Sequence, residues 1–250
     1  MARAMLRRDA YLLAGPTASG KSAAAAILAR RAGAAILSAD SMLVYRGMDV
    51  GTAKPSPAER AEFSMGGVDL VTPAEHFSSG AWLRAAARWL AAMPPDRPVV
   101  IVGGTGLYFS ALLRGLDRKW TLPPPAYPVL QLDRATLHAR IEARLDGMFL
   151  QGLEAEVAEL RRRYPVWSDT ASAAIGYKEF IDGLDAAAVR ERILVRTRQL
   201  AKRQETWFRH QASAIYVSAG ATAEQTAELV RRVWDEHGPW QVCLPEEGEQ

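Results

Sequence analysis

The sequence predicts an α/β protein: a parallel sheet flanked by helices, with a helical C-terminal half. Three observations carry this. Short apolar runs alternate with amphipathic helical stretches through the first 133 residues, the pattern of parallel strands joined by helical crossovers. The stretch "LLAGPTASGKSAAAA" at 12–26 sets a glycine-rich turn between one such run and a helix. From 134 to 211 helical spacing continues with only short breaks.

Each element follows from its residues. "AYLLAG" (10–15) reads as a buried strand, and "SAAAAILARRAG" as a helix stopped at Gly33. "AAILSAD" (34–40) is a second strand and "VDLVT" (68–72) a short third one. "SGAWLRAAARWLAAM" is an amphipathic helix capped by Ser78 or Ser79. "PVVIVGG" (98–104) is the clearest buried strand, "TGLYFSALLRGL" the helix after it, and "PVLQLD" (128–133) another strand. Residues 134–163, 171–183 and 185–211 read as helices. "AIYVSA" (214–219) and the helix "TAEQTAELVRRVWDEHG" follow. These elements make one domain over 1–250: a core at about 10–133, a helical segment at about 134–211, and a final strand and helix at 212–240.

Composition narrows the function classes. The single cysteine, Cys243, excludes an intrachain disulfide framework and a cysteine zinc cluster. The four histidines, His76, His138, His210 and His237, show no metal-ligand spacing. A net charge of +3 mildly favours an anionic partner. The arginine-then-apolar start is cut short by Gly15-Pro16-Thr17 and Lys21, so it does not read as a secretory signal. No window approaches the roughly 18 apolar residues of a membrane span. A cytoplasmic protein without a membrane role is expected.

The turn carries the chemistry. Gly15, Pro16, Thr17, Ala18, Ser19, Gly20, Lys21 and Ser22 spell G-x-x-x-x-G-K-S, and they lie between a strand and a helix, the context that marks a P-loop. The fold class is therefore P-loop NTPase-like. The glycines let backbone N–H groups face an anion, and the helix N-terminus adds its positive end. Lys21 reaches phosphate oxygens, and the Ser22 hydroxyl is placed to hold Mg²⁺.

Phosphoryl-transfer enzymes with this loop usually carry an acid at the end of a neighbouring apolar strand. "VVIVGG" ends instead in Gly103-Gly104, and the strand that ends in an acid is "ILSAD", at Asp40. Ligands of open α/β sheets bind at the carboxyl ends of the strands, so Asp40 should face the loop's crevice as a general base. The turn "GGTGLY" (103–108) reads either as a second nest of N–H groups or as a glycine turn needed for packing. Arg140 and Arg144 share one helix face. Along 190–210, Arg192, Arg196, Gln199 and Arg203 line one flank of a helix, and Arg198, Lys202 and Arg209 another. With only Glu191 and Glu205 to offset them, these cations read as facing an anion.

"GPTASGKS", "SADSMLVYRGMDVGTAKP", "VGGTGLYFSALLRGL", "LHARIEARLDGMFLQGLEAEVAEL", "IGYKEF" and "TRQLAKRQETWFR" resemble, in that order, the tRNA dimethylallyltransferase family. The resemblance covers most of 11–211. It implies transfer of a dimethylallyl (isopentenyl) group from dimethylallyl diphosphate to N6 of an adenosine beside the anticodon. On this resemblance the loop holds the donor's diphosphate, and no phosphoryl group moves. Lys21, Arg144 and Mg²⁺ through Ser22 would stabilise the leaving diphosphate, and Asp40 would be the base. Asp40, Ser41, Met42, Leu43 and Thr105 match the family's tRNA-contacting positions, and Arg196 and Arg203 would add phosphate contacts. The implied partners are dimethylallyl diphosphate and the tRNA anticodon stem-loop, with the protein acting as a monomer.

The chain departs from the family at one place. Members of the family carry several dozen more residues between the "LLRGL" and "LHARIEAR" helices, including a small helical domain that clasps the anticodon stem-loop. Here "DRKWTLPPPAYPVL" makes the whole connection from Leu116 to Gln131, so the insertion is missing near 117–130. This leaves open an adenylate isopentenyltransferase acting on free AMP, ADP or ATP, a P-loop small-molecule kinase, or a nucleic-acid-binding remnant.

Overall fold

The computed structural model describes residues 5–114, 125–183 and 186–245. In chain order the elements are β1 (Met5–Ala14), α1 (Lys21–Ala32), β2 (Ala35–Ala39), α2 (Pro57–Glu62), α3 (Ser79–Ala92), β3 (Val99–Gly103), α4 (Gly106–Arg114) and β4 (Tyr127–Gln131). They continue with α5 (Arg134–Leu150), α6 (Leu153–Arg163), α7 (Asp169–Ser172), α8 (Lys178–Ile181), α9 (Ala186–Arg209), β5 (Ala214–Ser218), α10 (Ala223–His237) and β6 (Trp240–Pro245).

Five strands run parallel in the order β2-β3-β1-β4-β5. The chain leaves β1 toward β2 on one side and later returns to β4 on the other. A crevice opens where the order reverses, at the carboxyl end of β1. The register aligns Ala14 and Ala39 with Gly103. The next residues, Gly15, Asp40 and Gly104, therefore leave three adjacent strands at one level.

Strands β2, β3 and β4 are buried on both faces, which is why they read as near-continuous apolar runs. On one face Leu12, Leu37, Ile101 and Val129 pack with residues of α3, α4, α5 and α9. On the other Leu13, Ile36, Val100 and Val217 pack with α1 and α10. Two indoles bind these layers to backbone: Trp82 Nε1–H donates to the Ser38 carbonyl at 3.0 Å, and Trp234 Nε1–H to that of Leu12 at 2.9 Å. Phe109 of α4 meets Phe208 of α9 edge-on at 5.5 Å. Helix ends follow their capping residues. Gly33 ends α1 in the left-handed region at φ 62°, Ser78 caps α3, and Thr222 with Gln225 forms a capping box on α10.

Four readings of the sequence need correction. Residues 68–72 form no strand, only an isolated bridge from Tyr45 to Val71. Gly152, at φ 87°, divides 134–163 into two helices. Within 171–183 only short helical turns form. A sixth strand, β6, pairs antiparallel with the first half of β1, from Met5 opposite Pro245 to Ala10 opposite Trp240. This pairing starts β1 five residues earlier than its apolar run. Most of the expected connection at 117–130 lies outside the described residues.

Candidate active site

The 15–22 loop is shaped by its own backbone. Gly15 adopts φ 156°, Gly20 φ 90° and Ala18 φ 61°. A Cβ on Gly15 would come within 3.0 Å of Ser19 Oγ and 3.2 Å of Leu130, so glycine is required for this turn to sit on β4. The Pro16 carbonyl accepts the Ser19 N–H at 3.3 Å and the Lys21 ammonium at 3.0 Å. Lys21 is 9% exposed. Burial pushes its pKa down to about 8, against the pull of Asp40 and with the push of Arg144. A buried cation of this kind is poised for an anion, whose charge would restore its ordinary basicity.

Arg144 comes to the loop from α5. Its guanidinium donates to Thr17 Oγ1 at 3.2 Å and to the Thr52 carbonyl at 2.9 Å. Burial lowers its pKa, and Asp40 opposes that shift. Lys21 and Arg144 therefore both sense Asp40 and share one electrostatic environment with it.

Asp40 is fixed by a local turn: its Oδ1 accepts the Met42 N–H at 2.9 Å. Beside it, Thr105 Oγ1 accepts the Ser41 N–H at 2.9 Å and donates to Ser41 Oγ at 3.2 Å. The "GGTGLY" turn is a packing turn. The Thr105 N–H donates to the Ala39 carbonyl. A Cβ on Gly103 would lie 2.2 Å from the Ala39 carbonyl oxygen, one on Gly104 2.5 Å from Gln204 Nε2, and one on Gly106 2.5 Å from the Trp207 ring. The glycines admit β2 and α9.

These groups border one cleft of about 850 Å³. Thr17, Ala18, Asp40, Ser41, Met42, Thr105, Arg144, Arg196 and Arg203 all line it. Its apolar wall is Ile141, Leu145, Met148, Ile193, Leu200 and Trp207. Leu43 lies outside the lining, and its carbonyl accepts the Asp69 N–H. The remaining loop residues, Lys21 and Ser22 among them, do not line it.

The α9 arginines are less free than their sequence suggested. Arg196 ion-pairs with the buried carboxylate of Glu179 and donates to the Ala173 carbonyl. Arg190 pairs with Asp146 and Glu142, and Arg198 with Glu142. The offsetting acids come from other helices, which a count along 190–210 could not include. Arg203 is exposed at the cleft.

Three polar residues escaped the sequence reading. Gln204 Oε1 accepts the Thr17 N–H at 2.8 Å while its Nε2 donates to the Gly104 carbonyl at 3.0 Å. A polar residue inside the apolar stripe Leu200–Gln204–Trp207 was the available signal. Glu156 accepts the N–H groups of Asp49, Val50 and Gly51 and the Tyr177 hydroxyl. It thereby orders the segment whose Thr52 carbonyl receives Arg144. Glu179, besides pairing with Arg196, accepts the Gly176 N–H at 2.8 Å.

Among the described residues no group of three or more His, Cys, Asp or Glu side chains could hold a metal by itself. Mg²⁺ needs no such cage, because it keeps water and shares oxygens with a bound phosphate. One exposed hydroxyl at the start of α1, that of Ser22, fits an ion of this kind bound together with a diphosphate. Among the described residues no helix is long and apolar enough to cross a membrane.

The family model for IPP transferase matches residues 43–129 and 121–211, and that for isopentenyl transferase matches 8–64. The tRNA dimethylallyltransferase of Thiobacillus denitrificans is 37% identical over 282 aligned positions, spanning 82% of this chain and 90% of that protein. That of Azoarcus sp. is 35% identical over 281, spanning 80% and 87%. Among solved structures, the tRNA isopentenylpyrophosphate transferase of Bacillus halodurans superposes with a TM-score of 0.78 at 24% identity, covering 92% of this chain and 98% of that one. Its counterpart from Staphylococcus epidermidis superposes at 0.81 and 23%, covering 92% and 99%. These two share the fold. With a family model matched across 43–211 and relatives above 30% identity over four fifths of its length, the chain belongs to the IPP transferase family, that of the tRNA dimethylallyltransferases.

Proposed function

We propose that this protein transfers a dimethylallyl group from dimethylallyl diphosphate to N6 of an adenosine next to the anticodon of tRNA. The observation that carries the reading is the shared cleft. A carboxylate, Asp40, and a cation, Arg144, face the same space beside a phosphate loop whose buried Lys21 interacts electrostatically with both, and none of the three is consumed by an ion pair with another. The relatives named tRNA dimethylallyltransferase support it.

The steps follow from the residues. The loop from Gly15 to Ser22, with Lys21 and Arg144, binds the diphosphate, and the apolar wall takes the five-carbon chain and excludes water. The allylic C–O bond breaks and its electron pair stays on the diphosphate, whose growing charge Lys21 and Arg144 meet. N6 of the adenine forms the new C–N bond and gives its proton to Asp40. Ser41, Met42 and Thr105 hold the extruded base. Ser22 would hold Mg²⁺, which when bound adds positive charge to the leaving group.

The same reading makes the chain a single-domain, cytoplasmic monomer without the helical insertion. The alignment lengths support the missing insertion. The Thiobacillus alignment has 282 positions but uses 82% of 250 residues, about 205, so about 77 positions have no counterpart here. The two segments matched by the family model also meet at 121–129.

The deciding experiment incubates the protein and Mg²⁺ with radiolabelled dimethylallyl diphosphate and either tRNA or AMP. Label in tRNA is expected. Label in AMP alone would assign the free-nucleotide reaction instead. Label in neither, with transfer of the γ-phosphoryl group of ATP to an acceptor such as AMP in a parallel incubation, would assign the kinase.

A further inference from the structure

We propose that Gln204 is a positioning residue that couples the donor loop to the acceptor turn, so that filling one side of the cleft is felt at the other. The inference rests on the reading above, with the donor at the 15–22 loop and the adenosine at Asp40 and Thr105.

The geometry is specific. Gln204 lies on α9, 187 residues from Thr17 and 100 from Gly104, and its amide bonds both. Its orientation is fixed by its partners, because a backbone N–H can only donate and a carbonyl can only accept. Thr17 is the loop residue whose hydroxyl receives Arg144. Gly104 precedes Thr105, which bonds Ser41 beside Asp40. One amide thus sets the spacing between Thr17, which holds the Arg144 cation, and the turn that shelves the base. Gly104 leaves no room for anything else at this contact, since a Cβ there would meet Gln204 Nε2 at 2.5 Å and the Gly15 carbonyl at 2.9 Å.

The same stretch of helix reaches the acceptor directly. Arg203 and Trp207 line the cleft on either side of Gln204. An RNA phosphate drawn to Arg203, or a base pressed on Trp207, therefore loads the helix at the point where it grips both loops. Coupling needs such an element with contacts to both sites. A misplacement of the reacting atoms by about 1 Å costs about 10²-fold in rate, so the spacing that Gln204 sets should appear in turnover more than in binding.

The test uses Gln204→Glu and Gln204→Met. The first keeps an acceptor for the Thr17 N–H but sets a carboxylate oxygen against the Gly104 carbonyl; the second keeps length and loses both bonds. Calorimetry with an unreactive thio-analogue of dimethylallyl diphosphate, with and without an anticodon stem-loop RNA, gives the donor affinity in each state. In the unaltered protein the RNA should tighten donor binding about 5- to 30-fold. In Gln204→Met donor binding alone should stay within about threefold and kcat should fall about 10²-fold with little change in KM; in both variants the tightening should vanish, and the added carboxylate of Gln204→Glu should also weaken donor binding. Thermal melting gives the folded fraction, to which every rate is normalised. Unchanged kcat and tightening in the variants, no tightening in the unaltered protein, or losses that vanish on normalisation would each overturn the proposal. An unaltered protein that prenylates neither tRNA nor AMP overturns the functional reading itself, a distinct result.

Discussion

Arg144 and Arg196 line the same cleft from facing helices and are held in opposite ways. Arg144 bonds a hydroxyl and a carbonyl, both neutral. Its charge is left over, and burial lowers its pKa as expected of a cation short of a counter-ion. Arg196 meets the carboxylate of Glu179, which is 1% exposed. That cation is spent on the fold. The α5 side of the cleft thus offers charge to a ligand, whereas this part of the α9 side braces the α7–α8 segment. Two arginines in one cleft are not two anion sites; the partner each already has decides.

The largest effect expected concerns Asp40, which lines the same cleft. Asp40→Asn should lower turnover by about 10²–10⁴-fold, the usual span for loss of a general base, while donor binding stays near normal by calorimetry. Near-normal turnover would remove Asp40 from that role. Arg196→Gln should act on stability. It strands a buried carboxylate at a cost of about 3 kcal/mol, since breaking such a pair leaves an uncompensated charge. For a chain of this length that lowers the melting temperature by about 6–12 °C. An unaltered melting curve combined with weaker RNA binding would restore Arg196 to the ligand side of the comparison.

Arg144→Ala and Lys21→Ala should do the reverse, weakening binding of the diphosphate by about 1.5–3 kcal/mol each with small changes in melting. Lys21 adds a pH signature. Its folded pKa of about 8 lies below the 10.5 of an unfolded lysine. Between those values the unfolded chain binds more protons, so the contribution of this group to stability rises with pH across that window. Donor binding runs the other way, because the anion needs the charged form. Affinity should fall as pH rises above about 8, and binding at pH 8 should take up about half a proton in calorimetry across buffers of different ionisation enthalpy. Lys21→Ala should abolish the uptake. The smallest effect is that of Arg203→Gln, which should reduce the log–log salt slope of tRNA binding by about 0.7–0.9 and leave the donor untouched.

The same contrast explains what could be read before the structure. The phosphate loop was legible because its chemistry is local: Gly15, Gly20, Lys21 and Ser22 lie within eight residues, and turn, charge and helix start are written together. Asp40 was legible because parallel strands send their carboxyl ends to one side. Gln204, Glu156 and Glu179 were not, because each acts on a partner set by tertiary apposition. β6 was missed for a different reason. "WQVCLP" has the alternation of a strand but ends in proline and directly follows Pro239, and only its pairing with β1 decides the matter. A count of acids along 190–210 could not include Glu142, Asp146 and Glu179, which pair Arg190, Arg196 and Arg198 across space.

The segment 46–56, between β2 and α2, has no strand and no helix, yet it is among the best-anchored parts of the molecule. Lys54, its side chain 1% exposed, ties the Tyr45 carbonyl to Asp49 and Asp69, and the Glu156 carboxylate holds three successive backbone N–H groups. Solvent exchange of amide hydrogens reports such holding directly, since an amide exchanges only when its bond opens. The amides of Asp49, Val50 and Gly51 should therefore exchange as slowly as those inside a helix, although they follow no repeating pattern. Their protection has one source, so Glu156→Ala should release all three together while the strands keep theirs.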